Sequence, residues 1–416
     1  MAEKGNLIKT MALAANMRLD ALPPELKWQG AAGAKLWGSI ADAGEKGEPI
    51  CWNSYCNAPE IFYAMGLPVI MQEALGAASV SLPGKLNEKY IDIAHENLVA
   101  EHVCSTQKVM VGATLCGDLP LPTAIAHIAQ PCDSTMVLYA VLAERLGIPI
   151  FAIDMPNIPT RRDERVTQYV ADETERMVAF LEEHTGKKLE DEKLREVMEY
   201  SNIASEYNLK VNELTKMVPS PFPGPMGGGL VMSAGTPEGA EYYKKLYEMG
   251  KAIVESGKGY PPDQRFRVGW FSTGVAHDPQ LTSWMRQEFG VIIVNSMLGT
   301  FTTPPAQDIS GRRKMMEAIA VKQMDAPMQR ECGGSVEDWF EYAVPTCRDY
   351  ELDAVILTVH IGCKNVWAVQ KLFKDKIADE VGIPTLVVEA DFCDGRPFSG
   401  ESIRARISDF FNTMMA

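Results

Sequence analysis

Two distant stretches of this chain follow one plan. QPCDSTMVLYAVLAERLGIPIFAIDMP carries Cys132, and VILTVHIGCKNVWAVQKLFKDKIADEVGIPTLVVEAD carries Cys363. In each, the cysteine precedes a run of helical periodicity that ends at Gly-Ile-Pro (Gly147 to Pro149 and Gly382 to Pro384). An apolar β-type segment follows in both. A unit repeated in this way constrains the chain to an α/β fold built from two similar halves. It also puts each cysteine at the carboxyl end of a strand or in the first turn of a helix. Open α/β sheets bind ligands there, and helix N-termini favour a thiolate.

The rest of the chain fits around these units. Residues 1–48 read as helix, broken at Pro23-Pro24, with Trp28 and Trp37 available to dock it. A first α/β domain spans 49–160, where EPICWNSY reads as strand, NAPEIFYAMG as helix and LPVIMQEAL as strand. The helical run NEKYIDIAHENLVAEHV then delivers Cys104. Residues 161–235 form a charged helical linker or cap and end in the Gly/Pro-rich junction SPFPGPMGGGLVMSAGT. A second α/β domain occupies 236–416. The expected architecture is therefore two Rossmann-like open-sheet domains with N-terminal and linking helices.

Composition narrows the class. A chain of 416 residues, 46% hydrophobic and 23% charged, can bury cores large enough to need no disulfide staples. Its nine cysteines lack the dense regular spacing of a secreted scaffold, so reduced thiols, some of them metal-bound, are the expectation. No stretch reads as a membrane span or a secretory signal, and the cytoplasm is the expected compartment. A formal net charge of -15 repels polyanions, which argues against nucleic acid as a partner.

Cys104, Cys132 and Cys363 are too far apart for a zinc ribbon, so only the fold could gather them. Three gathered thiolates can hold an iron-sulfur cube and leave one iron open, able to bind a substrate oxygen and pass it an electron. Buried structural cysteines give the same pattern, and spacing alone leaves both readings open.

From about Cys51 to the C-terminus the chain resembles the D-component subunits of the 2-hydroxyacyl-CoA dehydratases, relatives of the cluster-bearing subunits of ATP-dependent benzoyl-CoA reductases. The likeness rests on WNSYCNAPEIFYAMGLPV, HENLVAEHVCSTQK, the Cys132 block and the Cys363 block extended through DFCDGRPFSGESIRARISDFF. The long interval between Glu60 and Cys104 is similar to that of the larger, alpha-type subunit. The resemblance implies a 4Fe-4S cluster ligated by Cys104, Cys132 and Cys363, with Ser54 hydrogen-bonding at the open iron and Glu60 handling a proton, although a carboxylate that simply favours its helix N-terminus accounts equally for Glu60. It implies a lyase that eliminates water from an (R)-2-hydroxyacyl-CoA through a ketyl radical. The implied partners are an acyl-CoA substrate, a homologous smaller subunit and an ATP-hydrolysing iron-sulfur activator. The chain itself has no P-loop pattern. A benzoyl-CoA-type reductase subunit and a double-cubane redox protein are the alternative outcomes. The sequence departs from the family at Tyr55, Cys56 and Cys116, which leaves open whether Cys56 or Cys116 joins the cluster.

Other residues carry less. His360, in an apolar segment, reads as a core histidine. Arg161, Arg162 and Arg165 could meet CoA phosphates, although a solvated helix start accounts for them. Arg404 and Arg406 are expected to pair with acids such as Asp391 or Asp394. Gly227 to Gly229 lack the strand and helix context of a dinucleotide site.

Overall fold

The computed structural model describes residues 6–157, 163–260 and 263–416. Eight strands among them form two four-stranded sheets. The first contains β1 (Cys51–Asn53), β2 (Val69–Met71), β3 (Ala124–Ile128) and β4 (Ile150–Ile153), in the order β2-β1-β3-β4. The second contains β5 (Phe266–Phe271), β6 (Val291–Ser296), β7 (Ala354–His360) and β8 (Thr385–Ala390), in the corresponding order β6-β5-β7-β8. All neighbours are parallel. In both sheets the strand order reverses between the first and third strands, and such a reversal opens a ligand crevice at the carboxyl ends.

The repeat read in the sequence is the passage from third to fourth strand. In the first domain the Asp133–Leu146 helix ends at Gly147, whose φ of 67° is left-handed backbone that suits glycine, and the Pro149 carbonyl accepts the Ile125 N–H at 2.9 Å. In the second, the Lys364–Glu380 helix is followed by left-handed Gly382, and the Pro384 carbonyl accepts the Val355 N–H at 3.0 Å. At the far end of each strand pair, Ala129 donates to Ile153 and Ile361 to Ala390, at 3.0 and 3.1 Å. The two halves therefore match bond for bond where each cysteine leaves its sheet.

Both sheets are covered on both faces, which is why their inner strands are buried along almost their whole length. Trp52, Ile70 and Ile125 face a core shared with the Asn6–Ala21, Leu86–Glu96 and Ser105–Leu115 helices. Cys51, Val69 and Ala126 face the opposite way, toward Val170, Met177 and Leu181 of the Glu164–Thr185 helix and Leu194 and Met198 of Asp191–Thr215. The charged segment after residue 161 is thus a packed layer over the first sheet. In the second sheet Val355 and Leu357 turn to one core and Ile356 to the other. No helix among the described residues is long and apolar enough to cross a membrane.

Two local expectations change. LPVIMQEAL is strand only through Met71; Gln72–Ser79 is helix, in keeping with its helix-forming Gln, Glu, Ala and Leu. The helix after SLPGK stops at Glu96, and Cys104 opens the next helix rather than riding the end of that one.

Candidate functional site

Each of the three cysteines is the N-cap of a helix: Cys104 of Ser105–Leu115, Cys132 of Asp133–Leu146 and Cys363 of Lys364–Glu380. Their sulfurs meet the first-turn N–H groups and positive dipole ends of these helices: Thr106 faces Cys104, Thr135 faces Cys132, and Asn365 and Val366 face Cys363.

Contacts tie the three together pairwise. Cys104 Sγ lies 3.2 Å from Thr106 Oγ1; the Thr106 hydroxyl donates to Gln107 Oε1 at 2.6 Å; and Gln107 Nε2 reaches Cys132 Sγ at 3.8 Å. Lys364 pairs with Asp133, so the residues just after Cys363 and Cys132 meet across the two domains. Gly362 packs directly on the Cys104 backbone. The three thiols are close enough that each feels the charge of another. Burial pushes Cys104 and Cys132 up to about 12 and Cys363 to about 11, so without a cation to stabilise thiolate all three would keep their protons.

Further groups surround them. Cys56 and Cys332 both lie within the electrostatic reach of Cys132. Glu73, in the first turn of Gln72–Ser79, accepts from Thr135 at 3.2 Å, and Thr135 in turn accepts from Gln107 at 2.9 Å. Burial raises its carboxyl to about 7. Glu331 is raised to about 7 for the same reason, against the pull of Arg330. Glu73 Oε2, Glu331 Oε2 and both polar side-chain atoms of Gln329 are buried without a hydrogen-bond partner.

This donor set suits an iron-sulfur group. Thiolates ligate iron, the helix ends offset the negative charge, and the unpartnered polar atoms are those a buried group would satisfy. Among the described residues no three His, Cys, Asp or Glu side chains form a group that could hold a single metal ion.

The remaining predicted residues are distributed as follows. Ser54 sits at the carboxyl end of β1, beside the strand-order reversal, and its Oγ accepts the Ile128 N–H of β3 at 3.2 Å. Glu60 is fully buried; its Oε1 accepts from Ser201 at 2.6 Å and pairs with Lys322. It shares with Tyr55, Cys56 and Phe301 the wall of a cavity of about 50 Å³. Cys116 ends the helix that Cys104 begins and so lies away from the other thiols. His360 is buried, with Nε2 3.2 Å from the Thr273 carbonyl, as a core histidine. Arg404 pairs with Asp278, not with Asp391 or Asp394; Asp394 is taken by Arg396. Arg165 is exposed and pairs with Asp163, while Arg161 and Arg162 lie outside the described residues. The sequence reading missed Glu73, Gln329, Glu331 and Cys332. A helical reading of QEALGAAS would have found the first.

A family model described as 2-hydroxyglutaryl-CoA dehydratase, D-component, matches residues 55–414. The chain is 24% identical to the (R)-phenyllactyl-CoA dehydratase alpha subunit of Clostridium sporogenes, over 90% of its own length and 92% of the relative's. It is 22% identical to the (R)-2-hydroxyisocaproyl-CoA dehydratase alpha subunit of Clostridioides difficile, over 92% and 94%. A benzoyl-CoA reductase subunit of Thauera aromatica is 23% identical, over 75% and 76%.

Proposed function

The chain belongs to the 2-hydroxyglutaryl-CoA dehydratase D-component family, and from that membership we propose that it is the alpha-type subunit of an (R)-2-hydroxyacyl-CoA dehydratase. Relatives named as alpha subunits of such dehydratases, matched over about nine-tenths of both lengths, support a lyase acting on an acyl-CoA beside a second subunit. The reading is carried by the convergence of Cys104, Cys132 and Cys363, as helix N-caps, between the two sheets.

The three thiolates would hold a 4Fe-4S cluster. Bound there, it would supply one low-potential electron that turns the thioester carbonyl into a ketyl radical anion, expelling the hydroxyl and acidifying the β-hydrogen, and would recover it afterwards. The side chains do the rest. Glu73, near 7, can take the β-proton from carbon and return it to the departing hydroxyl as water. Thr135 and Gln72 both donate to its Oε1, leaving the unpartnered Oε2 free to turn to substrate. Ser54 braces the β1–β3 crevice through Ile128 and holds the following Tyr55 and Cys56 against the pocket wall. Glu60 and Lys322 pair on the wall of that cavity, and Ser201 donates to the same Glu60 oxygen from behind it. The electron source would be a separate ATP-hydrolysing activator, and the partner a homologous smaller subunit.

The similarity to a benzoyl-CoA reductase favours one second reading, in which electrons stay in the acyl group. Product analysis separates the two. Anaerobic co-purification with partner and activator, followed by assay on a panel of (R)-2-hydroxyacyl-CoAs, should give 2-enoyl-CoA and water. Ring reduction of an aromatic acyl-CoA without elimination of any hydroxyacyl-CoA would overturn the dehydratase assignment.

A further inference from the structure

The second sheet has a crevice of its own. A cavity of about 360 Å³ lies at the carboxyl ends of β5 and β6, within the range of about 300–1,000 Å³ that small-molecule sites occupy. Trp270 and Ser272 line it from β5, Ser296 and Leu298 from the end of β6, and Phe392 from just past β8. Between β5 and β8 stands β7, whose end runs into Cys363. The cavity also meets the seam between the domains. Phe392 packs on the core of the first domain, and the next residue, Cys393, donates its N–H at 3.0 Å to the Oγ of Ser105, the residue after Cys104. On the other side the Leu298 carbonyl accepts the Tyr55 hydroxyl at 3.4 Å.

The polar groups of this cavity suit an uncharged ligand. Ser272 follows β5 as Ser54 follows β1, so the two serines hold matching places in the repeated halves. Ser54 Oγ is occupied by the Ile128 N–H, whereas among the described residues the hydroxyls of Ser272 and Ser296 have no hydrogen-bond partner. Ser272 is 3% exposed, and its φ of 71° is left-handed backbone that residues other than glycine seldom adopt, a strain that functional sites retain. Of the described residues in the lining only Asp278 is charged, and Arg404 holds both of its oxygens, at 2.6 and 2.8 Å. A phosphate or carboxylate would find no free cation there. An amide would find hydroxyls that both donate and accept.

We propose that this cavity receives the pantetheine arm of the acyl-CoA, with Ser272 and Ser296 bonding to its amides, the phosphates left outside and the thioester facing the seam that Phe392 and Leu298 bound. The inference rests on the acyl-CoA reading above. The arm has amides and a hydroxyl but no charge, which matches apolar walls of Trp270, Val275, Leu281 and Phe392 broken by two free hydroxyls.

Gly274 supplies the test. It lines the cavity, and a β-carbon added to it meets nothing within 4 Å, so the backbone admits Gly274→Phe, whose ring would take the space of the arm. The full chain with its partner subunit, purified anaerobically, is titrated calorimetrically with acetyl-CoA and with adenosine 3′,5′-bisphosphate, the nucleotide end of CoA without the arm. Wild type should bind acetyl-CoA more tightly than the nucleotide. Gly274→Phe should weaken acetyl-CoA binding about tenfold or more and leave nucleotide binding unchanged. Ser272→Ala and Ser296→Ala should each weaken acetyl-CoA binding about twofold to tenfold, as loss of one net hydrogen bond does. If Gly274→Phe fails to fold, the two serine variants carry the comparison. Wild-type affinity for acetyl-CoA in a folded Gly274→Phe, or in both serine variants, overturns the proposal. So does an equal loss for the nucleotide, which would put that end of CoA in the cavity, and so does a wild type that binds the nucleotide as tightly as acetyl-CoA. A wild-type complex that binds no acetyl-CoA overturns the acyl-CoA reading as well.

Discussion

Gly362 lies so close to Cys104 that a β-carbon added to it would stand 2.4 Å from the Cys104 Cα and 2.5 Å from its backbone nitrogen. The loop that ends β7 and the loop that begins the Ser105–Leu115 helix thus touch backbone to backbone. Because neither side is a flexible side-chain end, Gly362→Ala must push Cys363 away from Cys104. We expect a loss of about 1–3 kcal/mol in unfolding free energy from overpacking, together with a clear fall in bound iron. Anaerobic chemical denaturation and an iron assay measure both; full iron retention would show that the two loops can separate without disturbing the ligands.

Replacing any one of Cys104, Cys132 or Cys363 by Ala should remove most iron. Cys116→Ala should not, because the intervening 11-residue helix puts it about 18 Å from Cys104. Iron content and the visible spectrum of the four variants decide. Retention in the three and loss in Cys116→Ala would reverse the ligand assignment.

Glu73→Gln and Glu60→Gln should fail in different ways. Glu73→Gln keeps the hydrogen bond from Thr135 but cannot carry a proton, so turnover should drop about 100-fold or more with cluster content unchanged. Glu60→Gln leaves Lys322 without its counter-charge and should cost about 3 kcal/mol of stability. Steady-state rates normalised to iron, beside denaturation curves, separate the two. A stable, iron-replete Glu73→Gln enzyme with full turnover would remove Glu73 from the chemistry.

His127 gives a pH signature in the first sheet. It is 1% exposed, and burial lowers its pKa from 6.5 to about 4. Between these values the unfolded chain takes up a proton that the native state refuses. The stabilisation is therefore complete above pH 6.5 and disappears as pH falls toward 4, amounting to about 3 kcal/mol across the window. Unfolding free energies of wild type and His127→Asn, measured from about pH 4 to 7.5, should converge as the pH is lowered. A difference that stays constant with pH would mean that the imidazole takes up its proton over the same range in the folded and unfolded chain.

The Cys132 and Cys363 positions are legible in the sequence because a repeated unit puts its cysteine at the same turn twice, and local signals (a left-handed glycine, then proline, then an apolar strand) mark that turn. Glu73 escapes notice because LPVIM carries a strong strand pattern, which masks the change at Met71 to residues that favour helix. Cys332 escapes for another reason. Nothing beside it in the chain announces its place among the thiols; Met328 and Asn365 bring it in by tertiary packing, although Pro327 does mark the start of a helix. Arg404 likewise finds Asp278, 126 residues away, in place of the acids nearer in sequence. Ion-pair partners are chosen by which faces meet, and periodicity in one segment does not reveal that.

The division of the three N-cap cysteines between two sheets bears on how the chain is made. Cys104 and Cys132 leave the ribosome with the first sheet; Cys363 follows only after β7 of the second. A nascent chain therefore presents two thiols while the helical layer and three strands of the second sheet are made, and a complete triangle only after them. Whatever the triangle holds can be delivered only once β7 has been made. The quality of that delivery would report whether the second domain has docked on the first.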